Sequence, residues 1–188
     1  MARPTKVLVV GDSLSAEYGL ARGSGWVALL EQRLAKERVG ATVVNASISG
    51  DTTSGGRTRL PSLLDQHKPT HVIIELGSND ALRGLPLKLT RDNLAVMLQA
   101  ARDTGAQAML VGMRMPPNYG RIYTQEFESM FATLAKAEGA ALVPFMLAGI
   151  ADSPNASGLF QDDGLHPNAQ AQTIIFDNVW PVLRGQLR

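Results

Sequence analysis

Two short segments hold the residue types that acyl-transfer chemistry needs. Gly11-Asp12-Ser13-Leu14-Ser15 follows the β-branched run Lys6-Val-Leu-Val-Val10. A glycine after a buried strand permits a sharp turn, and a serine two residues on can then stand exposed at the sheet edge. Serine is a weak nucleophile until a neighbouring base accepts its proton. The segment Asp162-Asp163-Gly164-Leu165-His166-Pro167 offers that base. An aspartate three residues before a histidine lets both side chains face the same way across one turn of chain. Asp163 can then hold the His166 Nδ1–H, fix the tautomer and stabilise the imidazolium that forms. Pro167 biases His166 away from helix and onto a loop, where it can reach Ser13. His67 and His71 flank Pro69 at the join between the second helix and the third strand, far from any strand carboxyl end, and read as structural or solvated.

Taken singly, each segment has a plainer reading. Ser13 alone fits an N-cap or turn serine, and Asp163-Gly164 fits a surface turn before a helix. A metal site on Asp162, Asp163 and His166 is the rival chemistry, weakened by a chain with three histidines and no cysteine. Two further segments tip the balance. Asn45-Ala-Ser-Ile-Ser-Gly50-Asp-Thr-Thr53 contains Gly50, whose backbone N–H no side chain would obstruct. Gly77-Ser78-Asn79-Asp80 contains the Asn79 amide, a side-chain donor. A tetrahedral intermediate needs such preorganised donors.

The elements that position these residues alternate between short β-type runs and longer helical ones. Strands are expected over Lys6–Val10, Thr42–Asn45, His71–Leu76, Ala108–Gly112 and Ala141–Pro144. Helices are expected over Trp26–Glu37, over Thr90–Thr104 with Thr90 as N-cap and Gly105 beyond its end, over Gln125–Glu138, and from about Asn168 onward. Pro181 is expected to kink or end the last of these. Met115–Gly120 reads as a loop. Alternating strands and helices imply an α/β fold with a parallel sheet covered on both faces, whose ligands sit beyond the strand carboxyl ends. Asp12 and Ser13 follow strand one, Ser47–Thr53 strand two and Ser78–Asp80 strand three, so all converge on one edge.

The 188 residues fit a single domain, 1–188, with no repeat or linker to divide it. Eighteen basic and seventeen acidic side chains leave a net charge of +1, which gives no electrostatic argument for nucleic acid or an anionic membrane surface. The lack of cysteine excludes a thiol nucleophile and a disulfide frame. No apolar run approaches the roughly 18 residues that span a bilayer. Met1–Lys6 is too short and polar for a signal peptide.

Gly11-Asp12-Ser13-Leu14, Gly50, Asn79-Asp80 and Asp163-x-x-His166 resemble the four blocks of the GDSL, or SGNH, hydrolases. The chain is most similar to the bacterial thioesterase I/arylesterase/lysophospholipase group, through Asn45–Thr52, Glu75-Leu-Gly-Ser-Asn-Asp80, Leu82-Arg-Gly84, Pro117-Asn-Tyr-Gly120 and Asp162–Asn168. The resemblance implies a flavodoxin-like three-layer fold with five parallel strands and no metal or cofactor. It implies a Ser13, Asp163, His166 triad and an oxyanion hole of the Ser13 and Gly50 N–H groups with the Asn79 side chain. It implies a small acyl ester or thioester as substrate and a periplasmic or secreted location, with a cytoplasmic one left open. The group often has glycine where this chain has Ser78.

An acyl group would lie along Leu14, the Ala81–Pro86 loop with Leu82, and Met115 to Tyr119, beside Asp12. A phosphoryl-accepting receiver domain shares the architecture but leaves His166 without a role. A nucleotide-binding module would want a lysine that Gly19–Gly25 lacks. A Gly-x-Ser-x-Gly elbow is absent too, because Ser15 stands at the second glycine.

Overall fold

The structure, a computed structural model, describes residues 3–38 and 40–187. The reading of the leading segment therefore falls partly on Met1 and Ala2, outside the described residues. Five strands form one parallel sheet: β1 (Lys6–Gly11), β2 (Thr42–Asn45), β3 (His71–Glu75), β4 (Gln107–Val111) and β5 (Ala141–Val143), in the order β2-β1-β3-β4-β5. Val7, Leu8, Val9 and Val10 are buried, as are Val72, Ile73 and Ile74. Such continuous apolar runs are what a strand covered on both faces requires.

The covering layers come from α1 (Trp26–Glu37), α2 (Thr53–His67), α4 (Leu87–Asp103), α5 (Arg121–Glu138) and α6 (Ala171–Gln186). Helices α1 and α6 pack together on one face, and α2, α4 and α5 on the other. The fold is thus a three-layer α/β/α sandwich. A short helix, α3 (Ser78–Leu82), follows β3 directly. The strand order reverses at β1, so the crevice between the carboxyl ends of β1 and β3 is the place where this architecture binds ligands.

Two expectations about helix starts are corrected, and of the two outcomes expected at Pro181 one is excluded. Thr90 is not an N-cap: α4 begins at Leu87, and Thr90 is buried inside it with its hydroxyl on Asp80 Oδ2 at 3.3 Å. Pro86, whose extended backbone leads into the first turn, ends the preceding loop instead. Pro181 does not end α6, which runs on to Gln186. Burial of Val179, Trp180 and Leu183 holds that segment in helix and outweighs the one lost hydrogen bond. The last helix begins at Ala171 rather than near Asn168, and Asn168 Oδ1 instead accepts the Ala171 N–H at 3.2 Å. Part of the Met115–Gly120 loop is a 3-10 turn, Pro117–Tyr119.

Candidate active site

Ser13 stands one residue beyond the Gly11-Asp12 step at the end of β1. The turn after it is closed by the N–H groups of Ser15 and Ala16 on the Asp12 carbonyl, at 3.1 and 3.0 Å. The need for glycine at position 11 differs from the sharp turn expected. Gly11 is the last residue of β1 and has no left-handed backbone. A Cβ there would meet Glu75 Oε1 at 2.8 Å and Ser15 Oγ at 2.9 Å, so close approach excludes a side chain.

His166 lies 153 residues further on and faces Ser13, with Nε2 3.0 Å from Ser13 Oγ. Its other nitrogen, Nδ1, is 2.6 Å from Asp163 Oδ2. A proton on Nδ1 donates to that carboxylate and leaves Nε2 to accept the serine proton, the arrangement a general base requires. Asp163 Oδ1 accepts the backbone N–H groups of Leu165 and His166 at 2.9 and 3.0 Å. The His166 N–H first, then the His166 ring and the Leu165 N–H, hold the Asp163 carboxyl down at about 2. Its side chain stays 40% exposed, so solvent screens that charge. The Tyr18 ring packs against the imidazole with centroids 4.3 Å apart.

The expected oxyanion donors gather around Ser13. Gly50 takes a left-handed backbone, φ +80°, in the loop between β2 and α2. Among the described residues, neither the Ser13 nor the Gly50 N–H donates to a protein acceptor, and both residues line the cleft at the serine. Asn79 Nδ2 donates to the Asp51 carbonyl at 2.9 Å and reaches Asp12 Oδ2 at 3.4 Å. With acceptors on the nitrogen side, the amide's orientation follows from its partners. Arg83 Nη2 ties the two donor loops together through the Gly50 carbonyl at 2.8 Å.

The cleft is about 620 Å³ and is walled by Leu14, Leu82, Met115, Phe145, Leu147 and Leu165. Leu14, Leu82 and Met115 thus stand where the sequence places an acyl wall. Tyr119 does not: it sits exposed on the 3-10 turn, outside the lining, where Pro116 and Pro117 form the wall instead. Asp12 borders the cleft, yet its side chain is only 1% exposed and turns inward. A larger polar hollow of about 830 Å³ at the ends of α1 and α6, beside Arg38 and Arg184, holds none of these residues. His71 lies at the opposite end of β3 from Glu75, and His67 ends α2. Among the described residues, no three of His, Asp and Glu gather as a metal site would need.

Sequence reasoning missed Glu75, Ser15, Asp51 and Arg59. Glu75 is buried at the end of β3 and accepts the Ser15 hydroxyl at 2.6 Å. Arg59 pairs with Asp51 at 2.9 Å and also bonds the Ala46 carbonyl, which braces the loop bearing Gly50. The one legible signal was a lone carboxyl closing the otherwise apolar run His71-Val-Ile-Ile-Glu-Leu76.

A parallel sheet carrying a Ser, His, Asp relay at its topological switch point defines a hydrolase of the serine-nucleophile class. Residues 9–174 match the GDSL-like lipase/acylhydrolase family, and the chain belongs to that family. It is 50% identical over 181 residues to the esterase TesA of Pseudomonas aeruginosa, covering 96% of this chain and 89% of that protein. It is 42% identical to thioesterase 1/protease 1/lysophospholipase L1 of Escherichia coli, over 91% of this chain and 79% of that one. The crystal structure of the psychrotrophic esterase EstA from a Pseudoalteromonas species, inhibited by monoethylphosphonate, superposes with a TM-score of 0.90 at 40% identity, covering 97% of this chain and 98% of EstA. The protein is an ester-hydrolysing enzyme acting on small-molecule substrates. Among the described residues, no helix is long and apolar enough to cross a membrane.

Proposed function

We propose that the enzyme cleaves carboxylic acyl esters, and with them acyl thioesters or lysophospholipids, through an acyl group carried on Ser13. The observation that supports this best is the unbroken relay from Ser13 Oγ through His166 to Asp163 at the floor of an apolar cleft. Ser13 Oγ attacks the acyl carbonyl while His166 Nε2 takes its proton, and Asp163 stabilises the imidazolium. The N–H groups of Ser13 and Gly50 and the Asn79 amide receive the oxyanion. His166 then hands the proton to the departing alcohol or thiol, and a water activated by the same nitrogen releases the acid. The acyl chain runs along Leu14, Leu82 and Met115.

The substrate range draws on the relatives, one of which carries the name thioesterase and lysophospholipase and the other esterase. A short-chain aryl or acetyl esterase is the second reading, and acyl transfer to an alcohol a third, since the cleft is open at the serine. Initial rates on p-nitrophenyl esters from acetate to palmitate, with and without added alcohol, separate these readings. Rates rising toward medium and long chains support the fatty-acyl reading; collapse beyond butyrate supports the second. Ser13→Ala should fold normally and lose both turnover and labelling by a phosphonate ester, and labelling that persists removes Ser13 from the mechanism. The family resemblance supports a periplasmic or secreted enzyme working as one domain, which fractionation of the source cells and limited proteolysis would test.

A further inference from the structure

Directly beneath the proposed oxyanion hole lie two carboxyl groups that the hydrolytic steps do not use. Asp12 and Glu75 are each 1% exposed. Glu75 Oε1 also accepts the Ser15 hydroxyl at 2.6 Å and the Asp12 N–H at 3.4 Å. Asp12 Oδ1 accepts the Leu14 N–H at 3.0 Å, and Oδ2 faces the Asn79 amide at 3.4 Å. Among the described residues, no lysine or arginine pairs with either carboxyl. Arg59, which reaches the adjacent Gly11 carbonyl, is paired with Asp51. The other titratable groups near Asp12 are His166 and Asp51.

Two neighbouring buried carboxylates with no lysine or arginine paired to them resist ionising together, because desolvation and mutual repulsion act in the same direction. A single shared proton removes the repulsion and turns the contact into a charge-assisted hydrogen bond. Burial first, then the Asp12 charge, pushes Glu75 well above the ordinary carboxylate range, while burial lifts Asp12 only to about 6.

We propose that Glu75 is a positioning residue for the oxyanion hole: its protonated carboxyl donates to Asp12 and keeps Asp12 as the acceptor that seats the Leu14 N–H and the Asn79 amide. Fixing the Leu14 N–H sets the turn through Ser13, and thereby the direction of the Ser13 N–H. The Asn79 amide is held firmly by the Asp51 carbonyl and loosely by Asp12. Its second N–H is therefore poised at a long, weak partner that a developing oxyanion displaces. The shared proton also keeps the pair at one negative charge rather than two beside that oxyanion. This role rests on Asn79 being an oxyanion donor.

The test joins a spectroscopic readout to kinetics. Infrared spectra of the wild-type protein near neutral pH should contain a protonated-carboxyl C=O band, which Glu75→Gln abolishes. No band in the wild type, or a band unchanged in E75Q, overturns the proposal, and neither measurement depends on activity. Glu75→Leu, which cannot donate to Asp12, should lower kcat by about 10- to 10²-fold with KM little changed. E75Q, which retains a donor for Asp12 and an acceptor for Ser15, should recover most of that loss. An E75Q as impaired as E75L, or a folded E75L with undiminished kcat, refutes the positioning role. Should E75L not fold, the wild-type and E75Q spectra still decide. Asn79→Ala run alongside should cost about 10²–10³ in kcat. A loss below threefold would fail the oxyanion reading of Asn79 while leaving the infrared result to judge the buried proton.

Discussion

Replacing Gly11 by alanine probes how tightly the strand leading to Ser13 is fitted to the layer beneath it. The added methyl would stand 2.8 Å from Glu75 Oε1, 2.9 Å from Ser15 Oγ and 3.0 Å from Ser15 Cβ. Alanine suits the extended backbone at this position, so the cost comes from packing rather than from φ. Neither neighbour is a free chain end, because the 2.6 Å bond between Ser15 and Glu75 holds both. Relief of the clash must break that bond, and a buried acceptor left without its donor costs about 1–3 kcal/mol. The remaining crowding adds about 1–3 kcal/mol, as overpacking of a filled core typically does. Urea unfolding of G11A should therefore show a loss of about 2–6 kcal/mol. Ser15→Ala alone removes the bond and should lose about 1–3 kcal/mol. In the double variant the bond can be lost only once, so the combined loss should fall short of the sum by about 1–3 kcal/mol. A G11A cost below about 1 kcal/mol, or additivity within about 0.5 kcal/mol, would refute the reasoning.

Asp163→Asn should leave the fold intact and lower kcat/KM by about 10²-fold, less than the roughly 10⁴ seen for a buried triad aspartate, because water can reach this exposed carboxyl and replace part of its role. A change below threefold would remove Asp163 from the relay. His71, buried with Nδ1 on the Thr70 hydroxyl at 2.9 Å and Nε2 on the Gln186 carbonyl at 3.3 Å, is lowered from its ordinary 6.5, first by burial. The unfolded chain then takes up this proton first as pH falls, so its contribution to stability is whole above 6.5 and declines as pH drops from there toward the folded value. Asp12 and Glu75, both raised, act in the opposite sense: their contribution is present below the ordinary carboxylate range and is lost as pH rises, through about 6 for Asp12. Comparing melting temperatures of wild type and His71→Gln from about pH 5 to 7.5 isolates the histidine, and a gap that does not change with pH would refute its part.

Much of this site is legible before any folding is considered. Ser13, Asp163 and His166 stand out as candidates only in combination, because each segment alone fits a plain turn and it is the convergence of four segments on one sheet edge that singles them out. The strands are equally plain, since burial on both faces demands unbroken runs such as Val7–Val10 and Val72–Ile74. These features depend on residue type and local spacing, which a linear chain displays directly. Thr90 shows where that legibility ends. By propensity it caps a helix, yet it lies inside one, because burial against Asp80 and the start set by Pro86 outweigh a local preference. Pro181 likewise does not end its helix, because the packing of its neighbours holds the segment in place.

The pairing of Asp12 with Glu75, the demand for glycine at position 11 and the loop bracing by Arg59 were decided by tertiary structure alone. The first two join residues dozens of positions apart through sheet register, Gly11 opposite Glu75 across β1 and β3, and the third reaches from α2 back to Asp51 and Ala46. The 3.0 Å reach of His166 to Ser13 spans 153 residues of sequence. Sequence determined which groups could react, because chemical identity belongs to each residue by itself. Distance, burial and shared protons belong to pairs, and only the folded chain brings those pairs together.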